Sequence, residues 1–245
     1  SKTKAILPVH LYGNPCDMTA IMDIARRHDL RVIEDNAQSH GARWSGKITG
    51  SFGEINATSF YPTKNLGALG DGGAITTDNE ALLNRVKQLR SYGFSAKNVC
   101  DETGVNSRLD EVQAAILQIK LKHLNEWNAQ RSATASQYMR ELEDVADIQL
   151  PVSDQRATHA YHLFVIQTTF RDRLRERLSA ANVQTMVHYP IPPHLQRAYE
   201  FMGYEKGSFP VTESLAARVV SLPLWPGMDQ DQVSYICDVI RRSYL

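Results

Sequence analysis

Ser59-Phe-Tyr-Pro-Thr-Lys-Asn-Leu-Gly-Ala-Leu-Gly-Asp-Gly-Gly-Ala-Ile-Thr-Thr77 decides how the rest of the chain is read. The run Ile55 to Phe60 is strand-like, and it breaks into a turn that carries Lys64. Pro62 pre-sets that turn and restricts Tyr61 to extended geometry. Gly67, Gly70, Gly72 and Gly73 follow, and such a loop lets backbone approach a bound group closely. Ala74 to Thr77 reads as another short strand. Taken alone, a lysine on a turn is a solvated residue. An acidic strand end upstream, Ile33-Glu-Asp-Asn-Ala-Gln38, gives Lys64 a second meaning. Together the two stretches supply an amine that can form a Schiff base and a carboxylate that can hold a pyridinium.

Working outward, Ala5 to Val9 is a short apolar strand and Gly13-Asn14-Pro15 turns the chain. Asp17 caps a helix to about Arg27 with Met18, Ile21, Met22 and Ala25 on one face. Leu30 to Ile33 is the next strand, so this is a βαβ unit with parallel strands and a right-handed crossover. Asp35 closes that strand, and ligands of open α/β sheets gather beyond the carboxyl ends of strands. An apolar strand ending in Glu-Asp also resembles the magnesium-binding strand of phosphate-loop NTPases. That reading needs a G-x-x-x-x-G-K-[ST] loop, which the sequence lacks. By itself, Asp35 is equally a helix cap or a surface carboxylate.

Composition narrows the class. The 245 residues suffice for one large domain or two small ones, with 42% hydrophobic and 22% charged residues. Lys+Arg and Asp+Glu number 27 each, so the basic excess of a nucleic-acid binder is missing. No apolar run has the length of a membrane span, and no signal peptide is visible. Cys16, Cys100 and Cys237 fit neither a zinc spacing nor a disulfide framework, which suggests a reducing, cytoplasmic compartment.

Further along, Asn79 caps a helix to about Tyr92 with Leu82, Leu83, Val86 and Leu89 on its apolar side. Gly93 to Val105 reads as a polar loop. Asn106-Ser107-Arg108 leads into a long helical pattern through Val112, Ile116, Ile119 and Leu124, which continues less cleanly to about Leu142. The domain boundary falls in the 120s: residues 1–125 belong to a large domain and 126–245 to a small one. The latter reads as α+β: strands over His162 to Thr168 and Val183 to Tyr189, helices over Asp172 to Ala181, Glu213 to Val220 and Gln230 to Arg242. His188-Tyr-Pro-Ile-Pro-Pro-His194 puts two histidines in a rigid proline loop, where no carboxylate or cysteine completes a metal site at a recognisable spacing.

The runs VHLYGNPCDM, VIEDNAQSHGA, SFYPTKNLGALGDGGAITT and GVNSRLDEVQAAIL resemble the DegT/DnrJ/EryC1/StrS family of pyridoxal-phosphate-dependent sugar aminotransferases, nearly end to end. The resemblance implies an α/β chain of the fold-type I transferase class. Its large domain would hold a mixed, mostly parallel sheet, beside a small α+β C-terminal domain. It implies that Lys64 bonds the cofactor, pyridoxal 5'-phosphate, and that Asp35 faces its ring nitrogen. Gln38 would approach the ring or its hydroxyl, Ser59 the phosphate, and Asn106 the phosphate in a partner subunit, hence a homodimer with shared sites. Read from residue type alone, Ser59 is a turn serine and Asn106 a helix cap. His188, Tyr189 and His194 match a substrate-side loop for a nucleotide-linked keto sugar. HLQRAYEFMGYEKGSFPVTE resembles members acting at the sugar's C3 position, which points to a dTDP-linked 3-keto-6-deoxyhexose with L-glutamate as amino donor. The resemblance also implies a further segment ahead of Ser1, since the chain opens without Met and almost directly on a strand. Two other readings stay open: a non-catalytic binding or scaffold protein, and an aminotransferase acting at C4. Family dehydratases lack the lysine, so Lys64 argues against that class.

Overall fold

The computed structural model describes residues 2–244, which divide into two compact units. The first comprises residues up to Asn128 together with Ser153–His162; the second comprises Ala129–Val152 and the chain from Leu163 onward.

In the first unit, β1 (Ala5–Ile6), β2 (Arg31–Asp35), β5 (Ile55–Ser59) and β6 (Gly73–Thr76) form one sheet in the order β1-β2-β5-β6. The first three strands run parallel and β6 is antiparallel to β5. Helix α1 (Met18–His28) makes the β1-to-β2 crossover, with Asp17 accepting the Ala20 N–H at 2.9 Å as its cap. Its buried face, Met18 and Ala25, meets Val32 of the sheet and Trp44. Trp44 lies in β3 (Arg43–Trp44), which pairs with β4 (Lys47–Ile48) and with β9 (Ala157–Thr158). That pairing draws 153–162 back into the first unit, a return that a single cut after residue 125 does not provide for. The Arg156 guanidinium over the Trp44 ring (4.4 Å) reinforces it.

Helix α2 (Glu80–Leu89) is capped by Asn79, but Leu82, Leu83, Val86 and Leu89 all stay at least partly exposed. The expected loop after it holds a small hairpin, β7 (Phe94–Ala96) and β8 (Val99–Cys100). Asn98 at its tip takes φ +62°, a left-handed geometry that asparagine tolerates in tight turns. The long helical pattern is two helices, α3 (Glu111–Leu121) and α4 (Leu124–Leu142). Leu117 of α3 and Leu124 of α4 form a second core with Leu66 and Ala68, the residues that follow Lys64.

In the second unit, β10 (Phe164–Gln167) pairs antiparallel with β11 (Val219–Leu222), joined by α5 (Arg171–Ala180), α6 (Pro210–Arg218) and α7 (Gln230–Tyr244). The expected strand over Val183 to Tyr189 is not formed: only Met186 bridges, to Ser221. The helix expected over Glu213 to Val220 ends at Arg218, and its last two residues open β11. All four β11 residues are buried, so no polar–apolar alternation marks them as a strand. Tyr138 and Leu142 of α4 are fully buried here, with Tyr138 stacked on Phe164 (4.9 Å).

One ionised group organises the first unit. Glu34, in β2, has no exposed surface and accepts four hydrogen bonds: from His10 Nε2 (2.9 Å) and from the N–H groups of Gly50 (2.7 Å), Phe52 (2.5 Å) and Gly53 (2.8 Å). The Cys16 N–H points at His10 Nδ1 (3.1 Å), which leaves the ring proton on Nε2 facing the carboxylate. Burial alone would push the Glu34 carboxyl up. The His10 and backbone donors outweigh it and hold it below the ordinary range. A carboxyl lowered by folding stabilises the folded state above its unfolded pKa, about 4.3, and that contribution drains away as pH falls through the folded value. Glu34→Ala strands a buried imidazole and three N–H groups and is expected to cost about 3–5 kcal/mol in urea unfolding at neutral pH. The variant should also lose the part of the acid dependence that Glu34 supplies.

Candidate active site

Adjacent residues of a strand face opposite sides, so burying Glu34 on one side of β2 turns Asp35 to the other. The Asp35 backbone is clamped between neighbours: its N–H donates to Pro8 O (2.9 Å) and its carbonyl accepts from the His10 N–H (3.2 Å). Its Oδ1 accepts the Ala37 N–H at 3.0 Å, which aims the carboxylate past the strand end. The neighbouring parallel strand, β5, ends at Ser59, two residues beyond the partner of Asp35. The sheet thus delivers a carboxylate and a hydroxyl to the same carboxyl-terminal edge.

Lys64 sits on a closed turn beyond that edge. Its N–H donates to Tyr61 O (2.9 Å), and the Ala68 N–H returns to Phe60 O (2.8 Å). Gly67 packs so tightly that a side chain there would strike the Pro62 carbonyl. The amine is half-buried, and burial lowers its pKa below that of an ordinary lysine while the Asp35 charge pulls partly the other way. A second basic group stands close by. Burial and the Lys64 cation push the His40 imidazole down to about 4, so it is neutral at physiological pH. His40 Nε2 meets Thr58 Oγ1 at 2.9 Å, and Thr58 in turn donates to the Asn36 carbonyl (3.3 Å). His40 lies inside the quoted motif but was not singled out from sequence: its link to Lys64 exists only once β2 and β5 lie side by side.

Of the other sequence-predicted residues, Gln38 is buried and its Oε1 accepts the Tyr12 N–H (2.5 Å). Ser59 Oγ accepts the Tyr61 N–H at 3.2 Å, which leaves its own proton to donate elsewhere. Asn106 opens onto a groove of about 750 Å³ with Thr58, Gly73, Lys87, Arg90 and Arg108; Asp35, Gln38 and Lys64 do not line it. Asn106 Oδ1 accepts from Arg108 Nε at 3.1 Å.

The remaining three belong to the second unit. His188 Nδ1 pairs with Ser221 Oγ (2.8 Å), beside a cavity of about 730 Å³ that Met186, Trp225 and Tyr235 also line. Tyr189 is exposed and meets the His188 ring edge-on (5.4 Å). His194 Nε2 is bound to Glu213 (3.0 Å), whose carboxylate also accepts the Gly207 and Phe209 N–H groups. Among the described residues no group of three or more His, Cys, Asp or Glu side chains could hold a metal ion, and no helix is long and apolar enough to cross a membrane.

The profile of the DegT/DnrJ/EryC1/StrS aminotransferase family matches residues 1–241. The erythromycin biosynthesis sensory transduction protein EryC1 of Saccharopolyspora erythraea is 49% identical over 240 residues, covering 98% of this chain and 66% of that protein. The dTDP-3-amino-3,4,6-trideoxy-alpha-D-glucose transaminase of Streptomyces venezuelae is 45% identical over 240 residues, covering 98% of this chain and 63% of that protein. The crystal structure of S. venezuelae DesV in complex with a ketimine intermediate superposes with a TM-score of 0.95 at 45% identity, covering 98% of this chain and 65% of that one. The chain therefore spans just under two thirds of the length of these relatives.

The Lys64 amine and Asp35 carboxylate are coupled, and the sign is fixed. Asp35→Asn removes the charge that supports the ammonium form, so the pH midpoint of Lys64 should fall, read by NMR of ¹³C-methylated lysines. In the unsubstituted protein His40 should reach half-protonation only at about pH 4, well below an ordinary histidine.

Proposed function

This chain belongs to the DegT/DnrJ/EryC1/StrS aminotransferase family, and from that premise we propose that it is a pyridoxal-phosphate-dependent aminotransferase. The acceptor in this reading is a nucleotide-linked keto sugar, a dTDP-linked 3-keto-6-deoxyhexose, and the amino donor is L-glutamate. The observation that carries the proposal is a half-buried lysine amine of lowered pKa, within the electrostatic reach of a strand-end carboxylate. Likeness to the S. venezuelae transaminase and to the dTDP-3-amino-3,6-dideoxy-alpha-D-galactopyranose transaminase of Aneurinibacillus thermoaerophilus, 47% identical over 242 residues, supports the sugar class and the C3 position.

The residues present fit the cofactor. An amine of lowered pKa, a carboxylate and a hydroxyl with an uncommitted proton are the set that an aldehyde, a pyridine nitrogen and a phosphate require. When bound, pyridoxal phosphate supplies an aldehyde that exchanges amines and a ring that takes up the electron pair of a carbanion. Lys64 would hold it through the amine, Asp35 at the ring nitrogen and Ser59 at the phosphate. Gln38 would sit against the ring, its oxygen already fixed by Tyr12.

The protein's own part is then acid–base work at Lys64 Nζ. Partial burial keeps more of that amine neutral at working pH than on a surface lysine, so it can accept and return a proton. Asp35 is held in place by its backbone, clamped on both sides by Pro8 and His10. His40, held neutral, adds no competing cation beside the amine. His188, Tyr189 and His194 are assigned to the sugar side. Asn106 is assigned to a phosphate in the partner of a homodimer, a role supported by its place in a groove that Lys64 does not line. The free cysteines support a cytoplasmic setting.

Pyridoxal phosphate added to the purified protein should produce an absorbance band above about 400 nm or near about 330–340 nm. Borohydride should then fix the cofactor covalently, with mass spectrometry locating it on Lys64. Lys64→Ala should lose transamination altogether. Asp35→Asn should lose about 10²-fold or more in turnover, as expected when a preorganised charge at the reacting centre is removed. An adduct on another lysine, or normal turnover in Asp35→Asn, would reject the corresponding assignment.

A further inference from the structure

We propose that Asn65 and Asn128 are positioning residues for Lys64: their interlocked side-chain amides fix the lysine turn within the first unit. The proposal rests on the reading of Lys64 given above for what the positioned amine does.

Asn65 directly follows Lys64 and is buried, with 6% of its surface exposed. Its Nδ2 donates to Asn128 Oδ1 (2.9 Å) and to the Ala160 carbonyl (2.8 Å), and its Oδ1 accepts from His162 Nδ1 (3.2 Å). Asn128 Nδ2 donates to the His40 carbonyl at 2.8 Å. Both amides have a single workable orientation. The Ala160 and His40 carbonyls can only accept, so each must face an NH₂ group, and flipping either amide would set oxygen against oxygen. One chain of hydrogen bonds therefore ties the residue after Lys64 to α4, to the returning segment and to the backbone of His40.

Gly41 shows that room is reserved for this contact. It has φ +81°, and a Cβ there would lie 2.7 Å from Asn128 Nδ2. Any side chain would push the Asn128 amide off the His40 carbonyl and strain the backbone as well. Lys64 needs such outside support. Among the described residues its Nζ makes no hydrogen bond, so the turn that carries it sets where it points. Burial is the largest influence on the amine, and a loosened turn would let water reach it and move its titration upward.

The test is an NMR pH titration of ¹³C-methylated lysines in the protein without added cofactor, with the Lys64 signal assigned by its loss in Lys64→Arg. Asn65→Leu and Asn128→Leu should each raise the Lys64 midpoint toward that of the surface lysines. The double variant should go no further than the larger single one, since both break the same link. Trp44→Phe, which removes the part-buried Trp44 Nε1–Thr19 Oγ1 bond (2.9 Å), is the destabilised control and should leave the midpoint in place. If Asn128→Leu does not fold, Asn128→Ser carries the same expectation, because its hydroxyl is too short to span both partners. Lower melting temperatures with an unmoved Lys64 midpoint in the Asn65 and Asn128 variants would overturn the proposal and leave these residues a purely structural role. The readout needs no cofactor. Failure of the unaltered protein to bind pyridoxal phosphate would remove the aminotransferase reading while the positioning result stands.

Discussion

A carboxylate sealed from water stays ionised only if protein dipoles replace its hydration, and the first unit is arranged to do this for Glu34. One histidine and three backbone N–H groups converge on it. Those donors come from the segment before α1 and from the loop between β4 and β5, so a single buried charge fastens both to β2. The strand's two-residue period does the rest. With Glu34 pinned inward, Asp35 is fixed outward, and consecutive acidic residues acquire opposite duties. One holds the sheet edge together, and the other presents a charge to whatever lies beyond it.

Where the candidate residues Lys64 and Asp35 stand in the fold was legible in the sequence. Lys64 after a strand and before glycines, and Asp35 at a strand end, are local patterns, and local patterns survive folding. The caps Asp17 and Asn79 were legible for the same reason. What stayed hidden depends on distant partners. Nothing near Glu34 in sequence announces that His10 will meet it, and nothing near Asn65 announces Asn128 or Ala160. β11 was hidden differently: a strand buried on both faces has no alternation to read, and its first two residues, Val219 and Val220, continued the preceding helix pattern without a break. The opposite error occurred over Val183 to Tyr189, where β-branched and aromatic residues suggested a strand that makes only one bridge.

The two loop histidines show how a motif can mean less, or something other, than its residue types suggest. His194 is committed to Glu213, and that carboxylate also caps the turn around Gly207 and Phe209. Its imidazole serves the shape of the proline loop first, so under the proposed function it would act on the sugar through that shape. His188, beside a wide cavity with Ser221 on one ring nitrogen, is the better placed of the two to meet a ligand directly.

The return of residues 153–162 to the first unit has a consequence for how the protein is made. A ribosome releases the chain from its N-terminus, so the lysine turn emerges well before the groups that hold it. Asn65 must wait for Asn128, 63 positions later, and for Ala160 and His162, 95 and 97 positions later. Until then its amide is solvated and the turn is kept only by its local hydrogen bonds. Contacts this far apart in sequence form late and slowly. The nascent sheet can exist with the lysine turn held only locally, and the outside hydrogen bonds of that turn close only after His162 has been synthesised.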